Sequence, residues 1–187
     1  MKKLKLILIV LLLALFLSSC SKDNKTPYQV KMDIIADSLD KVTEVNVSAS
    51  MTVSNACVYT LQKDIYITQA EDNTISGHTQ TNISSLGEDF QMVERTDNEN
   101  FSGTKPESLF GFKLDESKLS NLEITDTELK ANIASTVCND VLNALNFQAS
   151  SDVALSIKFE GEALQSWSIN FTNATNKVVS IEAQYKY

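Results

Sequence analysis

The sequence predicts an α+β protein that is mainly antiparallel β. We expect a single curled sheet, a half-barrel of about nine to eleven strands, with two helices covering its concave face. Three observations lead there. Apolar and polar residues alternate along most of the chain, the period of strands with one wet face. The period lengthens to that of a helix in two places only. Strands follow one another through short turns, with no crossover helix of the kind a parallel sheet needs.

The first helical stretch opens at Thr26-Pro27, where Thr caps and Pro takes the first turn. Val30, Ile34, Ile35, Leu39 and Val42 follow at helical spacings, with Asp33, Asp37 and Asp40 turned outward, so a helix is expected from Pro27 to about Thr43. Val45 to Val53 alternates and reads as a strand. Cys57 to Thr68 is a second strand, Glu71-Asp72-Asn73 a turn, Thr74 to Ser84 a polar third strand. Asp89 to Thr96 is a fourth, Asp97 to Asn100 a further turn, and Phe101 starts a short strand. Leu109 to Leu114, Leu122 to Thr125 and Glu128 to Ala134 are short strands. Val137, Cys138, Val141, Leu142 and Leu145 then fit one helix face, giving a second helix from Thr136 to about Asn146. The strands around Val153 to Phe159, Leu164 to Phe171 and Val178 to Tyr187 finish the chain, turning at Gly161-Glu162 and at Asn173 to Asn176.

Such a run of antiparallel strands has one apolar face that must be covered, and a twisted sheet of this width curls. Curling around a short helix leaves an apolar hollow on the inside. Met51, Phe90, Met92, Phe159, Trp167 and Phe171 are the large apolar side chains expected to line it.

The N-terminus has a different character. Met1 to Lys5 is cationic, Leu6 to Leu17 is an unbroken apolar run, and Ser18-Ser19-Cys20 is a small-residue end. That is the layout of a secretory signal peptide, and the apolar run is too short to span a bilayer as a helix. Leu17-Ser18-Ser19-Cys20 resembles the lipobox of bacterial lipoprotein precursors. The resemblance implies diacylglycerol on the Cys20 thiol, cleavage between Ser19 and Cys20, palmitate-type acyl chains, and a body held outside the cell on a membrane. The expected organisation is a signal peptide over residues 1–19, a lipidated tether over 20–26 that includes Ser21-Lys22-Asp23-Asn24, and one domain over 27–187. Whether the host has one membrane or two is left open.

Beyond the tether, an amphipathic helix feeds a meander, a short helix follows two-thirds along, and three strands end the chain. That order is similar to the LolA/LppX-like half-barrels, lipid-handling lipoproteins of bacteria. Asp37 to Met51 resembles their helix-to-strand junction, and Leu119 to Thr125 and the final alternation also resemble theirs. The resemblance implies an apolar pocket for acyl chains, or the same fold put to another surface role.

Charge excludes one class of partner. The chain holds 16 basic and 24 acidic residues; setting aside Lys2, Lys3 and Lys5 leaves 13 against 24. Arg95 is the only arginine. An acidic body of this kind does not suit phosphate backbones, so no nucleic-acid partner is expected. No catalytic residue, metal ligand or cofactor is expected either. His78, the sole histidine, stands in the polar stretch Ser76 to Thr81 with no Cys or carboxylate at ligand spacing. No P-loop, G-x-S-x-G or H-E-x-x-H frame occurs. Glu88-Asp89, Glu94 with Asp97 and Glu99, and Asp115-Glu116 read as solvated turn acids. Cys57 and Cys138 fall on a strand and on a helix face; outside the cytoplasm they either pair or stay as two buried thiols. The functional expectation is a non-enzymatic, membrane-anchored lipoprotein that binds an apolar ligand such as lipid. The alternative is a surface scaffold or protein-interaction module with a filled core.

Overall fold

The computed structural model describes residues 25–69, 75–103, 109–110, 114–137 and 149–187. The signal segment and Cys20, the turn at Glu71 to Asn73, Cys138 and the second helix beyond residue 137 lie outside them. Residues 135–137 are helical.

The helix α1 spans Pro27–Leu39. Thr26 and Gln29 form a reciprocal cap: the Gln29 N–H donates to Thr26 Oγ1 at 3.2 Å, and the Thr26 N–H to Gln29 Oε1 at 2.9 Å. The helix stops four residues before the expected Thr43, because Thr43 already belongs to the sheet. Its N–H donates to the Lys186 carbonyl and its carbonyl accepts from the Ile67 N–H. The buried stripe is Tyr28, Lys31, Ile35 and Ser38, whereas Val30, expected inside, is 44% exposed. Lys31 takes the inner place because two groups receive its ammonium. It donates to the Asp126 carbonyl at 2.6 Å and sits 4.3 Å above the Phe159 ring.

The described strands are β1 (Glu44–Val53), β2 (Ala56–Gln69), β3 (Ile75–Leu86), β4 (Met92–Gly103), β5 (Leu119–Ile124), β6 (Glu128–Ile133), β7 (Val153–Glu160), β8 (Ala163–Thr172) and β9 (Val178–Lys186). They form one antiparallel sheet in the order β4-β3-β2-β1-β9-β8-β7-β6-β5. The sheet is curled and open: among the described residues β4 and β5 are edges and do not pair. The half-barrel expectation holds in class and strand number. Ser54 and Asn55, both at positive φ, make the tight β1–β2 turn that matches strand twist.

Two stretches differ from expectation. Asp97 to Asn100, expected as a turn, lies inside β4, where Asp97 pairs with Thr81 and Asn100 with His78. Pairing along the whole length of β3 outweighs the poor strand propensity of Asp and Asn. The far end of that ladder is closed by Gly77. A Cβ there would strike the Tyr66 carbonyl and lie 2.5 Å from Phe101 Cζ, so the Phe101 ring occupies the space a side chain would need. Leu109 and Phe110, expected to begin a strand, are instead buried against the apolar face. The Tyr185 hydroxyl holds them by donating to the Leu109 carbonyl at 2.6 Å, while accepting from the Trp167 indole N–H at 2.7 Å.

The core lies on the face that α1 covers. Val45, Leu129, Val153, Ile157, Leu164, Ile169, Val179 and Ile181 are all less than 2% exposed. The register slips between Lys158 and Phe159, and α1 is fastened beside that slip. Ser38 Oγ accepts from the Leu164 N–H at 2.9 Å, and the Tyr187 hydroxyl donates to the Leu164 carbonyl at 2.5 Å. Polar groups that an irregular ladder leaves over are thus satisfied by the helix and the C-terminus.

Candidate functional site

The alternation that buries one face puts Ser, Thr, Asn and Gln on the other. Register then lines these residues up. One row crosses the sheet as Glu94–Ser84–Thr60–Ser50–Ser180 and continues as Asn170–Ala154–Asn132–Ser120. The neighbouring row is Thr96–Asn82–Gln62–Ser48–Glu182, continuing as Ser168–Ser156–Lys130–Glu123. Between them runs a floor of main chain, contributed by Arg95, Ile83, Leu61, Ala49, Ile181, Ile169, Leu155 and Ala131, whose side chains belong to the opposite face.

Two open pockets lie on this line. The larger, about 610 Å³, is walled by the first five members of each row and floored by Ala49, Leu61, Ile83 and Arg95. The smaller, about 300 Å³, falls between the same two rows at their other end, from Ser168 and Asn170 to Asn121 and Glu123. They are two wells of one groove. Eight inter-strand steps of about 4.8 Å make it about 38 Å long.

The walls hold unused hydrogen-bonding capacity. Among the described residues, no side-chain hydrogen bond engages the hydroxyls of Ser48, Ser50, Thr60, Ser84 or Ser180. Thr96 Oγ1 donates to Asn82 Oδ1 at 2.9 Å, which orients the Asn82 amide. Charge is sparse. Lys130 is bound by Glu128 at 2.8 Å, which raises its pKa above the ordinary lysine value and lowers that of Glu128. Arg95 points to the other face, where it pairs with Asp97 at 2.8 Å. Glu94, Glu182 and Glu123 leave the groove mildly acidic.

The six side chains expected to line an apolar hollow are dispersed. Phe159, Trp167 and Phe171 are buried together in the core, and Met51 is half-buried near its end, with Asn173 Nδ2 3.7 Å from its sulfur. Phe90 is 85% exposed at the β3–β4 turn, at a φ of 61°, and Met92 is exposed beside it on the polar face. Cys57 is an exposed free thiol, not a buried one, and donates to the Tyr59 carbonyl at 3.4 Å. His78 is stacked on Tyr66 with ring centroids 4.5 Å apart, on the polar face two rows from the groove. Among the described residues no group of three or more His, Cys, Asp or Glu could hold a metal ion. The groove residues had a signal in the sequence, the polar members of each alternation. What joins them is the register between strands, which alternation does not specify.

No family model and no curated protein matches the chain. Solved structures similar to it include a redesigned β-barrel, mFAP1, bound to DFHBI, at 13% identity over 79% of this chain and 98% of that one, with a TM-score of 0.23. A CurK dehydratase shows 12% identity over 80% and 76%, with a TM-score of 0.25. A polyketide synthase dehydratase domain from Brevibacillus brevis shows 9% identity over 77% and 75%, with a TM-score of 0.20. At such TM-scores neither the barrel's bound compound nor the dehydratases' activity bears on this chain.

Proposed function

We propose that the chain is a lipid-anchored extracytoplasmic protein, held to a membrane through Cys20, that works as a non-catalytic recognition module with the polar groove as its ligand surface. One observation carries the second half of this reading. Among the described residues the apolar face is packed by its own side chains, by α1 and by Leu109 and Phe110, while the two pockets described open on the polar face. The anchor rests on the apolar run and lipobox-like end of residues 6–20. No helix among the described residues is long and apolar enough to cross a membrane.

Metabolic labelling with an alkyne palmitate tests the anchor. The wild-type protein takes the label and fractionates with membranes, and Cys20→Ala loses both. Label retained on Cys20→Ala, or an unlabelled wild type in the cytosol, refutes it. A second reading keeps an apolar ligand such as lipid on the α1 side. Its support is the Tyr28 hydroxyl, which is buried there with no hydrogen-bond partner among the described residues and would serve as a donor to an ester or headgroup oxygen. Native mass spectrometry of the purified protein separates the two readings: a retained lipid mass favours the second.

A further inference from the structure

We propose that the groove takes an uncharged glycan, bound as a linear chain lying across the strands. This rests on the reading of the polar groove as the ligand surface, and it names the ligand's chemical class.

Shape and chemistry both lead to it. The two wells share the same pair of side-chain rows and the same main-chain floor, so a ligand that fills both is long and unbranched. The floor's N–H and C=O groups lie in the plane of the sheet, directed at neighbouring strands, so the ligand is held from the walls. Those walls are hydroxyls and carboxamides: Ser50 and Thr60 on one side, Gln62 and Asn82 on the other, Asn132 and Asn170 in the far well. Hydroxyls and amides both donate and accept, and the ligand that matches such a surface at every step is a chain of hydroxyls.

Other linear ligands fit less well. An acyl chain needs apolar walls, and the pocket walls present no aromatic or large aliphatic side chain on this face. A peptide strand needs a free sheet edge or pockets for alternate side chains, and the groove supplies neither. A polyanion, whether nucleic acid or acidic polysaccharide, meets Glu94 and Glu182 without a free cation, since Arg95 and Lys130 are each engaged by an acid.

Four of the side-chain amides in the groove, those of Gln62, Asn82, Asn132 and Asn170, are direct reporters. The full-length protein in detergent micelles is titrated with cellohexaose, maltohexaose and chitohexaose, and the side-chain NH₂ resonances are followed by NMR. At least one of the three is expected to shift all four amides. The Gln62→Ala/Asn82→Ala double variant should then weaken binding about tenfold, and Asn170→Ala should weaken the hexasaccharide more than its disaccharide. Both variants lie on the wet face and should melt within a few degrees of the wild type, which separates lost binding from lost fold. If no neutral hexasaccharide moves these amides at millimolar concentration, or if polygalacturonate moves them equally, the glycan proposal is overturned. If an extended peptide such as a Ser-Gly repeat shifts the groove amides while no sugar does, the groove remains the ligand surface and only the glycan class falls. The palmitate experiment reports on the anchor separately.

Discussion

Replacing Tyr185 by Phe removes one oxygen and should cost far more than one surface hydrogen bond. The hydroxyl is 2.7 Å from the Trp167 indole nitrogen and 2.6 Å from the Leu109 carbonyl, and all three residues are buried. Without it an indole N–H and a backbone carbonyl are both left in an apolar interior. Each such group costs about 1–3 kcal/mol, and the carbonyl sits toward the lower end because it keeps a second lone pair for water. A loss of about 2–4 kcal/mol is expected. For a domain of this size that lowers Tm by about 5–15 °C. Urea unfolding followed by far-UV circular dichroism, a signal every variant keeps, measures it directly. The midpoint should fall with the slope m unchanged, since the surface exposed on unfolding is nearly the same. Trp167→Phe leaves the Tyr185–Leu109 bond intact, and the double variant should lose less than the sum of the two single losses. If Tyr185→Phe unfolds within about 0.5 kcal/mol of the wild type, the bridge does not hold Leu109 and Phe110 on the apolar face and the account of the core is wrong.

Further outcomes follow from other contacts. Burial pushes the pKa values of Tyr28, Tyr59, Tyr185 and Tyr187 above the ordinary tyrosine value of 10.0. Their contribution is therefore complete below pH 10 and is lost as pH rises through the raised values, so Tyr185→Phe should flatten the alkaline limb of a stability–pH curve. Ser38→Ala strands the buried Leu164 N–H and should cost about 1–3 kcal/mol by urea denaturation, with helix content retained in circular dichroism. Gly77→Ala meets the Tyr66 carbonyl and the Phe101 ring and should cost about 1–3 kcal/mol, with hydrogen exchange quickening first in β3 and β4. Phe90→Gly relieves a bulky residue at positive φ while losing little burial, and should raise stability by about 0.5–1 kcal/mol in the same assay.

How much of this was legible in the sequence varied with the face of the sheet. Strands β1, β7 and β9 each carry an unbroken alternation, as does β8 from Trp167 onward, and all four lie where it put them, because one face is buried and the period must hold. The Thr26-Pro27 start of α1 was legible for the same kind of reason, since its cap is built from adjacent residues. Strand β4 was not. It is exposed along most of its length, so nothing in its composition separates a strand from a turn, and only pairing with β3 decides. Leu109 and Phe110 looked like strand residues because burial alone asks for the same side chains as a buried strand. The inward place of Lys31 had no signal in the sequence, since its two receivers, Asp126 and Phe159, are remote from it along the chain. The groove was least visible of all. Ser48 or Asn82 taken singly is an ordinary wet-face residue, and its place in a row exists only once eight registers are fixed.

The neighbours at the middle of the sheet carry a consequence for how the molecule comes into being. β1 leaves the ribosome first among the strands and β9 last, yet each is the other's partner. Until the C-terminal segment emerges, β1 keeps an open side next to a half-built meander, and its place beside β8 stays vacant. Joining the two meanders is the most non-local step available to this topology, and such steps are slow. Loss of the final nine residues would leave two exposed ladders at the centre of the sheet rather than a frayed end. Removing Val179 to Tyr187 should therefore yield a sticky, aggregating product, where the same truncation in a sheet that ends at its rim yields only a shorter protein.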